Sequence, residues 1–169
     1  MISLGIDPGT ATVGFGLVRE RQDGSLEAID YGVITTPSTL RMADRLRMIH
    51  DGLETIIALH KPDRAAVEEM FFGKNVTTAI TVAQGRGAIL LTLNEASLPI
   101  YEYKPNFVKQ AISGYGGAGK PQMQEMVRML LNLEVIPRPD DAADALAIAI
   151  TDLHHAQYSA LLSRAEDFE

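Results

Sequence analysis

Four carboxylates stand out because each interrupts a stretch that otherwise reads as core. Asp7 closes the short apolar run Ile2 to Ile6 and is followed by Pro8-Gly9, a pair that marks a turn directly after a strand. Glu68 follows Ala65-Ala66-Val67, so burying its charge would be costly without a cation or a donor beside it. Asp141 and Asp144 open an alanine-rich helical run, and their three-residue spacing puts them on one face a turn apart. Carboxylates brought together from separate elements can hold two divalent ions about 4 Å apart, an arrangement suited to activating water and neutralising charge in phosphodiester hydrolysis. Taken singly, each acid also has an ordinary explanation. Asp7 can form an Asx turn, Glu68 can sit on an exposed edge strand, and acids at a helix start commonly cap free amides. Asp140, after Pro139, suits such a cap, whereas Asp144 already lies in the second turn among Ala142, Ala143, Ala145 and Leu146. Glu69 alternates to the strand face opposite Glu68.

The elements that must position these acids follow from periodicity. Ile2 to Ile6, Val13 to Val18 and Leu26 to Ile34 read as three strands joined by short turns, an antiparallel meander. The period then changes: Ser38 can cap a helix carrying Leu46, Ile49, Leu53, Ile56 and Ile57 that ends near His60, before Pro62. Arg64 to Met70 reads as a buried strand, Val76 to Leu93 as a long helix and Leu98 to Tyr103 as another strand, the alternation of a parallel α/β layer. A short helix around Val108 to Ile112 meets the glycine cluster Gly114 to Gly119, expected as a mobile surface loop. Pro121 restarts a helix through Met123 to Leu133, and a last helix runs from Asp141 to about His155. Residues 1–157 are thus expected to form a single domain, with 158–169 a short frayed tail.

Composition narrows the class. The chain has 169 residues, 46% of them hydrophobic, enough for one well-buried core. It has no cysteine, which removes disulfides and Cys-ligated zinc, and its N-terminal segment reaches Asp7 before any signal-like apolar region forms. No apolar run is long enough to span a bilayer, so a cytoplasmic protein without membrane partners is expected. The formal net charge of −7 speaks against a polyanionic partner, but its distribution reverses that inference. Between Phe71 and Arg128, Lys74, Arg86, Lys104, Lys109, Lys120 and Arg128 outnumber Glu95, Glu102 and Glu125, leaving the acids concentrated at the two ends.

The order of three strands, helix, strand, helix, strand and helices is that of the ribonuclease H-like fold, an α/β architecture with a mixed five-stranded sheet, which also hosts transposases and actin-like kinases. Within it, Leu4-Gly5-Ile6-Asp7-Pro8-Gly9-Thr10, Val67-Glu68-Glu69-Met70-Phe71-Phe72-Gly73-Lys74-Asn75 and Asp141-Ala142-Ala143-Asp144-Ala145-Leu146 resemble the three acidic motifs of the RuvC Holliday-junction resolvases. Ala83-Gln84-Gly85-Arg86-Gly87 and Val108-Lys109-Gln110 extend the likeness, which runs from about Ile2 to Leu153. The resemblance implies that Asp7, Glu68, Asp141 and Asp144 bind two magnesium or manganese ions per subunit. It also implies that Lys109 and Lys120 serve the scissile phosphate, that Phe71 and Lys74 contact DNA, and that Phe71 can stack on an unpaired base. It implies a bacterial homodimer that makes paired symmetric nicks in four-way DNA junctions, leaves a 5′-phosphate and works alongside RuvA and RuvB. Small Ala79, Ala83 and Gly87 suit close packing of a helix on its own copy, and equally on its own sheet. One departure is plain: Asp7-Pro8-Gly9-Thr10 is followed by Ala11-Thr12, with no basic residue. Asp7-Pro8-Gly9-Thr10 also resembles the phosphate-binding turn of actin-like ATPases and kinases, and the opening of small nucleases of ribosomal RNA maturation. A non-catalytic junction binder is a further alternative.

Overall fold

The computed structural model describes residues 1–69 and 76–166. Five strands, β1 (Ile2–Asp7), β2 (Thr12–Glu20), β3 (Leu26–Thr35), β4 (Arg64–Glu68) and β5 (Ile100–Tyr103), form one sheet in the order β3-β2-β1-β4-β5. The first three pair antiparallel, while β4 lies parallel to both β1 and β5, giving the mixed sheet expected from the sequence. Helices α1 (Met42–His60) and α2 (Val76–Glu95) cover one face, where Leu4, Ile6, Leu17, Val67, Ile49, Leu53, Ile89 and Leu93 are fully buried. Helices α3 (Pro105–Ser113), α4 (Lys120–Leu130) and α5 (Asp140–Glu166) build the second core on the other face.

Strand alternation assigns each face its residues. On β1, Leu4 and Ile6 point to α1 and α2, so Ser3, Gly5 and Asp7 point to α5; on β4, Ala65 and Val67 point one way and Arg64, Ala66 and Glu68 the other. Glycines let α5 lie directly on the sheet backbone. A Cβ on Gly5 would stand 2.1 Å from the Ala145 carbonyl oxygen, one on Gly14 2.1 Å from that of Asp141, and one on Gly16 2.8 Å from the Leu146 nitrogen. A fully buried carboxylate fixes where along the sheet the helix sits. Asp152 of α5 accepts hydrogen bonds from Ser3 Oγ at 2.7 Å, Arg64 Nε and Nη2 at 2.7 and 2.8 Å, and the Tyr103 hydroxyl at 2.8 Å, thereby joining β1, β4 and β5.

Three local expectations are corrected. Ser38 does not cap α1: Pro37 starts a turn closed by the Leu40 N–H to the Pro37 carbonyl, and the helix begins after Arg41. The fifth strand starts at Ile100 rather than Leu98, because the Leu98 N–H still bonds back to Leu93 at the end of α2. The last helix continues past His155 to Glu166, through residues lacking glycine and proline, although its side chains are exposed from Tyr158 to Ser163.

Two substitutions test this packing. Gly5→Ala is expected to destabilise the fold by roughly 3 kcal/mol or more in urea titrations, since a backbone carbonyl occupies the space its methyl needs. Asp152→Ala, which leaves Arg64 and the Tyr103 hydroxyl without their acceptor, is expected to cost about 3 to 5 kcal/mol in the same measurement.

Candidate active site

The parallel register of β1 and β4 builds the core of the site. Ile6 pairs with Val67, so Asp7 and Glu68, each one residue further on, emerge side by side on the α5 face. Strand spacing sets their backbones about 4.8 Å apart. Opposite them α5 presents Asp144. Together with Pro105, Val108 and Lys109 of α3, Lys120 and Met123 of α4, and Ala147, these acids line an open pocket of about 310 Å³.

Asp141 lies one turn earlier on α5, against the backbone of Gly14, which is the β2 partner of Asp7. It lines a neighbouring cleft with Gly9, Thr10, Ala11, Thr12, Arg45, Thr81 and Val82, yet its charge is still felt at Asp7. Three of the four expected acids thus share one pocket, and the fourth borders it. Glu69, one residue past the end of β4, lines a different cleft from Glu68, with Tyr101, Glu102, Tyr103, Lys104, Phe107 and His155. Phe71 and Lys74 lie outside the described residues.

The two lysines differ in their surroundings. Lys120, at the first turn of α4, forms ion pairs with Asp144 at 3.2 Å and Asp140 at 3.4 Å. Its pKa is raised: partial burial opposes the charged form, but the hydrogen bonds and charges of those carboxylates outweigh it. Lys109 lines the pocket with Glu68, has no ion pair among the described residues, and its charge partly offsets the upward push on Glu68. The glycine segment ahead of α4 contributes backbone geometry: Gly114 caps α3 with φ of 74°, and Gly119 caps the start of α4 beside Lys120.

Burial raises Asp7, and the charges of Glu68, Asp144 and Asp141 push it further, to a pKa of about 7. Burial likewise raises Glu68, aided by Asp144, and raises Asp144, where the Lys120 hydrogen bond and charge work against the shift. This acid cluster has more negative charge than its lysines balance, and its all-oxygen donors suit a hard divalent cation. Another trio carries ligand atoms within 4.8 Å of one another, His50, Asp51 and Glu54 on α1, but it lies at the surface away from the pocket.

Sequence reasoning missed the support of the site. Arg45 and the Ser3, Arg64, Tyr103 and Asp152 network gave no local signal apart from a lone acid in an apolar helix, Asp152 between Ile150 and Leu153.

The sheet order and the acid-bearing last helix define a protein of the ribonuclease H-like fold with a carboxylate-lined pocket. The sequence profile described as "Crossover junction endodeoxyribonuclease RuvC" matches residues 3–152. A protein of that description from Chloroflexus aggregans is 59% identical over 156 residues, covering 92% of this chain and 94% of the relative. A Thermus thermophilus RuvC structure superposes with a TM-score of 0.87 at 36% identity, covering 94% of this chain and 97% of that one. T. thermophilus RuvC in complex with Holliday junction substrate gives 0.86 at 34%, with 94% and 96% covered. The chain belongs to the RuvC family.

The raised pKa of Asp7 has a signed consequence for stability. The folded state holds that proton more tightly than the unfolded chain, so the contribution is complete below about pH 4 and is lost as pH rises through about 7. Metal-free wild type is therefore expected to lose roughly 2 to 4 kcal/mol relative to Asp7→Asn between pH 4 and 8, followed by urea denaturation at each pH. Magnesium should recover stability in the wild type and much less in the variant.

Proposed function

We propose that this chain is a structure-specific endonuclease that resolves four-way DNA junctions by paired symmetric nicks, leaving 5′-phosphates. The observation that carries the proposal is the convergence of Asp7, Glu68 and Asp144 with Lys109 and Lys120 in one open pocket, in a chain of this family. Divalent ions, magnesium or manganese and two per subunit, would supply the activation of water and the neutralisation of the phosphoryl and leaving oxygens.

The chain's own residues do the rest. Asp7, at the end of an interior strand with carboxylates on either side, would hold the ions together with Glu68 and Asp144 from the pocket side and Asp141 from the neighbouring cleft. Lys109 approaches the substrate phosphate from α3. Lys120, whose ammonium stands 3.2 Å from Asp144, would anchor the backbone through the phosphate oxygens and offset developing charge. Phe71 and Lys74, immediately beyond the catalytic strand in sequence, are proposed to contact the junction arms.

Two nicks placed symmetrically need two such pockets related by a twofold axis, which supports a homodimer. The surface of α2 favours it: Ile80 and Leu91 are each 56% exposed, and Ala83 and Gly87 between them are exposed, with open space where a Gly87 Cβ would stand. The buried side of the same helix, Gly85, Ile89 and Leu93, meets its own fold, so the two packing modes use different faces. Among the described residues no helix is long and apolar enough to cross a membrane. Family membership supports a bacterial cytoplasmic setting and joint action with the RuvA and RuvB branch-migration proteins.

The test sets purified protein with magnesium or manganese against matched four-way DNA, linear DNA and structured RNA. Paired nicks at symmetric positions in the four-way substrate alone are expected; preferential cutting of the RNA would reject the reading in favour of an RNA-processing role. Asp7→Asn is expected to lower cutting more than about a hundredfold while junction binding in gel shifts persists.

A further inference from the structure

The motif turn after Asp7 lacks a basic residue, but the fold brings one to it from another element. Arg45 of α1 lines the cleft of about 370 Å³ that Asp141 shares with Gly9, Thr10 and Thr12. Its Nε donates to Thr36 Oγ1 at 2.9 Å, Thr36 in turn donates to the Thr10 carbonyl at 2.5 Å, and Thr10 donates to the Thr81 carbonyl at 2.6 Å. Thr10 and Thr36 are both buried. This chain of hydrogen bonds ties the guanidinium to the turn that carries Asp7, and among the described residues its terminal nitrogens have no hydrogen-bond partner.

Arg45 is set apart by its lack of a counter-charge. Among the arginines whose side chains are described, Arg19, Arg21, Arg41, Arg47, Arg64, Arg86, Arg128 and Arg138 each pair with a carboxylate within 4.0 Å, and Arg45 does not. In an acidic chain, a cation held in place by a buried threonine, facing an open cleft and without an acid partner among the described residues is arranged for an external anion. The cleft meets the acid cluster at Asp141, on the side away from Lys109 and Lys120.

We propose that this cleft is a second phosphate subsite, in which Arg45 binds a DNA phosphodiester on the cut strand next to the scissile one. The proposal rests on the nuclease reading above. It gives the strand two cationic holds, the lysines of α3 and α4 on one side of the acids and Arg45 on the other, so that the backbone between them is drawn across the cluster. Arg45 is a binding and positioning residue, and the contact carries no base information.

The experiment measures four-way junction affinity against salt concentration in an Asp7→Asn background, which keeps the substrate uncut. Arg45→Gln is expected to weaken binding about threefold to tenfold near 0.1 M salt and to flatten the slope of log K against log salt by about 0.9, the signature of one lost phosphate contact. Arg45→Lys, which keeps the charge but not the fork, should retain the slope and recover part of the affinity. Substrates with a single methylphosphonate, stepped along the strand around the nick, should locate one linkage whose neutralisation weakens binding when Arg45 is intact and has no effect in Arg45→Gln. A purely structural role would instead lower the melting temperature of Arg45→Gln and leave the slope unchanged, and that result overturns the subsite. With Asp7 intact, nicking of the four-way junction together with an unchanged slope rejects the subsite alone. Failure to nick it in either metal rejects the nuclease reading and the subsite with it.

Discussion

The structure depends on the register of one helix over two strands. From Ser3 to Asp7 is four strand steps, about 13 Å, and from Asp152 back to Asp144 is eight helical steps, about 12 Å. Because the two lengths agree, locking Asp152 onto Ser3 and Arg64 at one end of the sheet sets Asp144 opposite Asp7 and Glu68 at the other. The glycines between the two ends supply the closeness: with side chains at Gly5, Gly14 and Gly16, the helix would be held off the sheet, and its acids would be carried away with it. A buried ion pair contributes little net stability compared with apolar replacements, so the contribution of Arg64 and Asp152 lies in specifying one position of the helix.

The same arrangement creates the electrostatic problem that the site exploits. Acids pressed together under partial burial raise one another's pKa, Asp7 most of all, so the metal-free site is a point of weakness in the fold. Lys120 relieves part of it by pairing with Asp140 and Asp144, and a divalent cation would relieve much more. Net negative charge is therefore compatible with a DNA substrate. The acids concentrate in the pocket where a divalent cation would neutralise them, while lysines from α3 and α4 and Arg45, which has no carboxylate partner among the described residues, border the same region.

What the sequence determined by itself was the set of elements and the apolar settings in which Asp7 and Glu68 stand. Period-two runs became β1 to β3, the 3.6-residue pattern became α1 and α2, and the apolar context around Asp7 and Glu68 marked charges that would need a partner once buried. Helix ends were less legible: nothing local to Ser38 shows that Pro37 starts a turn, and nothing after His155 signals a stop. Tertiary structure alone decided the contacts between residues far apart in the chain. The bonds from Asp152 to Ser3 and Arg64 span 149 and 88 residues, and Asp141, against the backbone of Gly14, lines the cleft that Arg45 also lines rather than the pocket with Asp144. Periodicity reports which face a residue occupies, whereas what it meets there is set by how elements pack, and that depends on close-approach positions such as Gly5 whose role appears only when the helix arrives.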